Sequence, residues 1–136
     1  MSQLQDYKQY GALALAYMGD AVYETFIRKY LMQQANMPVK KLHILAKGFV
    51  SAAAQSRFVD IIEPLLSEEE LGFYKRGRNS KPHTTPKNAQ LADYKKATGL
   101  ETLIGYLYLS GNMARINELM EIIFENSDIG KTNKKD

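Results

Sequence analysis

Three carboxylates stand in stretches that are otherwise apolar: Asp20 and Glu24 within residues 11–27, and Glu101 within residues 97–109. Neither stretch contains a Lys, Arg or His to pair with them. An unpaired carboxylate in an apolar setting either costs several kcal/mol or gives up its charge, so such groups are met by a cation from another segment or by a metal ion. Asp20 and Glu24 are four apart and share one helix face, with Ala16 and Tyr17 on that face one turn earlier. If the two stretches are helices that cross near Asp20 and Glu101, their oxygens could hold one hard divalent ion. Magnesium suits such a site, because it prefers oxygen, keeps several waters and often uses only one or two carboxylates plus substrate phosphates. Two plainer readings stay open: Gly19-Asp20 as a kink or N-cap, and Glu101 as the partner of a basic side chain elsewhere. Glu24, a turn further on, could simply pair with Arg28.

The elements that would position these groups are helical. Residues 11–27 carry apolar side chains all round a helical wheel and read as a central helix that runs on to about Gln34, until Met37-Pro38 breaks it. A second helix begins at about Val39. A third covers residues 51–62, with an apolar stripe through Ala54, Phe58 and Ile61 and Pro64 soon after it. Ser67 and Glu70 form a capping-box pattern, so the next helix opens with an acidic turn and ends on a basic one, both suited to the helix dipole. Residues 80–86, with two prolines and two threonines, read as an exposed loop. Structure resumes at about Asn88, and residues 91–109 end in a dense apolar run closed by the turn Ser110-Gly111-Asn112. A last amphipathic helix covers about 113–126. No alternating strand pattern occurs. The expectation is one compact all-α domain over residues 1–127, followed by a disordered tail, 128–136.

With 136 residues, 45% of them hydrophobic, the chain can build one real core. It has no cysteine, which excludes disulfides, a thiolate nucleophile and the usual structural zinc sites. The first ten residues lack the basic start and apolar core of a secretory leader, and no charge-free apolar run spans a bilayer, so a cytoplasmic protein without membrane contact is expected. The net charge is only +3, yet residues 75–96 hold seven basic side chains against one acid, Asp93. Positive charge concentrated in this way points to a polyanion. Lys75, Arg76, Arg78, Lys81 and Lys87 flank the proline-rich loop and could follow a phosphate backbone, while Asn79, Ser80, Thr84 and Thr85 could donate hydrogen bonds to phosphates or 2′-hydroxyls. The plainer alternative is a solvated loop. His43 and His83 stand alone and offer no obvious general base.

The segment Leu15-Ala-Tyr-Met-Gly-Asp20-Ala-Val-Tyr-Glu24 resembles the signature helix of ribonuclease III catalytic domains. Thr98-Gly-Leu-Glu101-Thr-Leu-Ile-Gly105 resembles the family's other metal-binding helix. The run KRGRNSK followed by TTPKN resembles the Mini-III branch, which lacks a separate double-stranded-RNA-binding domain. The resemblance implies a two-fold dimer in which Asp20 and Glu101 act with magnesium as metal ligands and catalytic groups; Glu24, from its place one turn past Asp20, and Thr98 are candidate supporting groups behind them. It implies an endoribonuclease that cuts double-stranded RNA to leave 5′-phosphate ends, acting on the stem formed by the ends of precursor 23S ribosomal RNA, with room for a ribosomal-protein helper. Where full-length ribonuclease III has further acidic residues, this chain has Leu13, Ala16 and Thr98. Those losses give weight to a rival reading as a non-catalytic helical RNA-binding module, and the basic loop would equally serve a helical DNA-binding regulator.

Overall fold

A helix that is apolar around its whole circumference has to be surrounded by others, and the helix Leu91–Leu109 is the axis of this fold. The structure, a computed structural model, describes residues 6–81 and 90–134. All regular structure among them is helical: a 3-10 turn Tyr7–Gln9, α1 (Ala12–Gln34), α2 (Val39–Val50), α3 (Ala52–Ile62), a 3-10 turn Glu63–Leu65, α4 (Glu68–Arg78), α5 (Leu91–Leu109), α6 (Met113–Glu125) and α7 (Asp128–Lys134). The expected all-α fold is therefore present. Every residue of α5 from Ala97 to Leu107 is buried except Glu101. Helices α1, α4 and α3 enclose it, α2 lies against α1 and α3, and α6 closes the end.

The caps are those the sequence encodes. Ser51 Oγ accepts from the Ala54 amide to start α3, and Ser67 with Glu70 forms the reciprocal capping box of α4. Glu70 does more than cap. Its carboxylate takes a two-pronged contact from Arg115 of α6 (2.8 and 3.0 Å), and the same guanidinium donates to the Leu65 carbonyl. Burial pushes the Glu70 carboxyl up, but the bonds from Arg115 and Ser67 outweigh it and hold the group below its usual range.

Helix α1 meets α5 backbone to backbone. A Cβ added at Gly19 would stand 1.7 Å from the Glu101 carbonyl oxygen, and one added at Gly105 would stand 1.9 Å from that of Leu15. Only hydrogen fits at either place. The Thr102 hydroxyl, fully buried, lies 3.2 Å from the Ala12 carbonyl and 2.8 Å from that of Thr98, which ties the start of α1 to the same helix.

Three expectations need correction. Only one face of α1 is enclosed, through Leu15, Gly19, Val22, Tyr23, Ile27 and Leu31, while Tyr17 is 83% exposed. The stripe of α3 runs through Gln55, Phe58, Val59 and Ile62 as well as Ala54, and Ile61 turns outward. The segment read as a disordered tail instead forms α7, because Ser127 Oγ accepts from the Gly130 amide and Ile129 packs against the core.

If the α1–α5 crossing holds the fold, Gly105→Ala should lose about 3 kcal/mol or more in urea denaturation, since the obstructing atom is backbone. Gly72→Ala, in the interior of α4 with nothing within 4 Å, should gain roughly 0.5–1 kcal/mol from helix propensity. Similar effects for the two would contradict the close approach.

Candidate active site

Because Gly19 seats α1 on the Glu101 carbonyl, the next residue along α1, Asp20, comes to the side of the Glu101 carboxyl. The two lie within hydrogen-bonding reach of each other. Asp20 is exposed to solvent and Glu101 is half-buried. Among the described residues no Lys, Arg or His stands within ion-pair distance of either. Burial, then the nearby Asp20 carboxyl, raise the Glu101 carboxyl from 4.5 to about 8, with the neighbouring Gln55 amide acting the other way. Both plainer readings of these residues fail on this geometry: Asp20 lies inside a continuous helix, not at its cap, and Glu101 has no basic partner among the described residues.

Two neighbours complete the setting, and sequence reasoning named neither. Tyr23, one turn after Asp20, is buried and donates a 2.6 Å hydrogen bond to the Phe49 carbonyl at the end of α2. Burial and then the nearby Glu101 charge push its phenol well above the usual range. Gln55 of α3 is 3% exposed and donates to the Val50 carbonyl at 3.0 Å. Together with Val50, Ala52, Tyr94, Thr98 and Glu101 it lines a cleft of about 240 Å³. Thr98, one turn before Glu101, is nearly buried there, its hydroxyl donating to the Tyr94 carbonyl. Glu24 is bound to Arg28 at 3.1 Å, the local pairing its spacing allowed, and is not gathered to Glu101.

The donor set suits a hard divalent cation. It consists of oxygen only, one member faces water, and the like charges repel until a cation is between them. Among the described residues no group of three or more His, Cys, Asp and Glu side chains converges to hold a metal. Two carboxylates with water and substrate oxygens remain sufficient for magnesium.

The basic set divides. Lys75, Asn79 and Lys81 are exposed. Arg78 lies over the Tyr74 ring and donates to Asn79, and its charge faces outward. Arg76 is engaged differently, donating to the Lys8 and Tyr10 carbonyls and lying over Phe73, so it holds the chain before α1 in place. Thr85 and Lys87 fall outside the described residues. Gly77 of α4 seats on Thr102 and Gly99, which lie about 100° and 160° round α5 from Glu101 at 3.6 residues per turn. The basic end of α4 and the acidic pair therefore occupy different sides of the same helix.

Residues 13–112 match the model of the ribonuclease III domain family. The chain belongs to the ribonuclease III family, in its Mini-III branch. A Mini-ribonuclease 3 from Clostridium tetani is 50% identical over 88% of this chain and 80% of its own length, and one from Enterococcus faecalis is 44% identical over 97% and 100%. A crystal structure of a protein from Fusobacterium nucleatum superposes with a TM-score of 0.81 at 34% identity, covering 90% of this chain and 98% of that one. As a member of the ribonuclease III family the protein is an endoribonuclease, and the Asp20–Glu101 pair is its candidate active centre.

The sign of the Glu101 shift gives a stability test. A carboxyl raised from 4.5 to about 8 penalises the folded state increasingly above pH 4.5, and fully by about pH 8. Without divalent cation, Glu101→Gln should exceed the parent in stability at pH 8 by on the order of 1–3 kcal/mol. Below pH 4.5 the difference should vanish. Urea denaturation in a chelator at both pH values measures this, and an equal difference at the two would show that no repulsion is stored.

Proposed function

We propose that the protein is a magnesium-dependent endoribonuclease that cuts double-stranded RNA as a two-fold homodimer, each subunit cleaving one strand and leaving a 5′-phosphate. The observation that carries this reading is the apposition of Asp20 and Glu101 without a cationic partner among the described residues. On this reading Asp20 and Glu101 hold the ion, and both are catalytic groups. When bound, magnesium supplies charge stabilisation at the phosphoryl oxygens and activation of water.

The protein's own share is placement and charge. Asp20 is open to solvent, whereas Glu101 holds its proton near neutral pH, so ion binding would release a proton from Glu101. Because Asp20 follows Gly19 directly, its carboxylate is fixed by the same contact that fixes α5. Lys75, Arg78 and Lys81, with Asn79, give an affinity for phosphate that is largely independent of sequence, and recognition of A-form shape needs no base-stacking aromatic platform. Two-fold pairing is supported by the exposed apolar side chains of α1, Leu13 and Tyr17. It would also let the basic end of one subunit's α4 serve the acidic pair of the other. The resemblance to Mini-III proteins extends the substrate to the ends of precursor 23S ribosomal RNA in the cytoplasm, with a ribosomal protein as helper. Among the described residues no helix is long and apolar enough to cross a membrane.

Duplex RNA incubated with and without magnesium tests the proposal. Asp20→Asn and Glu101→Gln should each lower cleavage at least about a hundredfold, the equivalent of several kcal/mol of lost charge stabilisation, while retarding RNA on a gel as the parent does. Full turnover in either variant would remove that residue from the site, and binding without any magnesium-dependent cutting would make the protein a docking module. Reversing charge at Lys75 or Arg78 should weaken RNA binding and flatten its logarithmic salt dependence by about one unit for each phosphate left unneutralised. Duplex DNA competing as well as duplex RNA would favour a DNA-binding regulator.

A further inference from the structure

Among the described residues, Gln55 is the buried side chain that keeps a polar atom without a partner. It sits on the core face of α3 beside Phe58, Val59 and Ile62, is 3% exposed, and lines the cleft that Glu101 and Thr98 also line. Its Nε2 donates to the Val50 carbonyl at 3.0 Å, which sets the orientation of the amide. Its Oε1 is enclosed with no hydrogen-bond partner, the one such side-chain atom found among the described residues. An amide held in this way leaves an acceptor unsatisfied, which folding alone disfavours, since a side chain of the same length without polar atoms would fill the space at no such cost. Groups kept against stability in this manner cluster at functional sites. The cleft that the amide lines holds one candidate ligand, Glu101 of the neighbouring helix α5.

We propose that Gln55 is a positioning residue of the active centre: anchored on the Val50 carbonyl, its amide orients the Glu101 carboxylate for the divalent ion. The inference rests on the metal-site reading above. A carboxylate that binds an ion needs one oxygen aimed at the metal and the other held, and a donor on an adjoining helix does the holding. Asp20 does not do this, because on that reading it is itself a ligand to the ion. Thr98 does not do it either, since its hydroxyl is donated to the Tyr94 carbonyl. Gln55 lines the same cleft from a third helix, α3, so the proposed centre is assembled from α1, α3 and α5.

The test is Gln55→Met, which keeps length and volume and removes both polar atoms. Two measurements on the full chain decide it: thermal melting in a chelator, and Mn2+ binding followed by the paramagnetic resonance of the free ion. Asp20→Asn and the parent are run beside it. The expected result is a melting temperature equal to or above the parent's, with Mn2+ affinity lowered about 10- to 100-fold, the range found when groups supporting metal ligands are lost. Gln55→Asn, which keeps the amide but shortens its reach, should weaken Mn2+ binding as well. A lower melting temperature with unchanged Mn2+ affinity would make Gln55 a structural residue and overturn the proposal. If Asp20→Asn also left Mn2+ binding intact, the metal-site reading itself would fall. If Asp20→Asn weakened it and Gln55→Met did not, only the role of Gln55 would be refuted.

Discussion

The contact on which this fold depends is between two backbones. Gly19 and Gly105 let α1 and α5 approach until the carbonyls of Glu101 and Leu15 occupy the places where side chains would otherwise begin. Helices separated by side chains pack with their axes about 8–10 Å apart, and glycines at a crossing let the backbones themselves touch. Everything chemical in the molecule follows from this, since Asp20 and Glu101 come together only as a consequence of the crossing.

That geometry works against the electrostatics. Two carboxylates in contact, one of them half-buried and neither facing a cation among the described residues, disfavour the folded chain whenever both are charged. Here the molecule accommodates the conflict by leaving Glu101 protonated near neutral pH. The cost is offset by contacts such as the buried Thr102 hydroxyl between α5 and α1 and, further off, the clamp of Arg115 on Glu70. On the proposed reading a divalent ion would reverse the balance locally, because the charge that destabilises the pair alone would become the charge that binds, so that stability and ion affinity would be opposed at Glu101.

Much of this was legible in the sequence, for reasons that can be named. Pro38, Ser51, and Ser67 with Glu70 act on the backbone within a few residues, so the helix boundaries they set could be read directly. The unpaired acids in apolar runs were equally visible, because a missing partner is a local fact. Gln55 was hidden by an error of one residue in the stripe of α3: with Ile61 on the core face Gln55 falls at its edge, and with Ile62 it lies on the core face itself. Tyr23 was missed because a tyrosine in an apolar helix looks like packing until the Phe49 carbonyl is found beside its hydroxyl. Helix α7 reads as tail because its sequence is almost entirely polar, yet one apolar side chain, Ile129, a cap at Ser127 and a hydrogen bond from the Asn133 amide to Gln34 of α1 dock it. Periodicity could never have given the angle between the basic end of α4 and the acidic pair, which depends on how two helices share a third.

That angle bears on how a chain this small handles a duplex. The glycines of α5 face two ways: Gly105 receives α1 beside Glu101, and Gly99 receives α4, whose last turn carries Lys75 and Arg78. One helix thus separates the acidic pair from the basic end of α4. Within a single subunit a phosphate held at the end of α4 is not presented to Asp20 and Glu101, so productive binding would need a ligand that wraps round α5 or a second subunit turned to face the first. An RNA duplex is too stiff to wrap a helix of 19 residues. The proposed two-fold pairing would satisfy the requirement without adding residues, since each subunit could then lend its basic end to the other's acidic pair, and a duplex could lie straight across both.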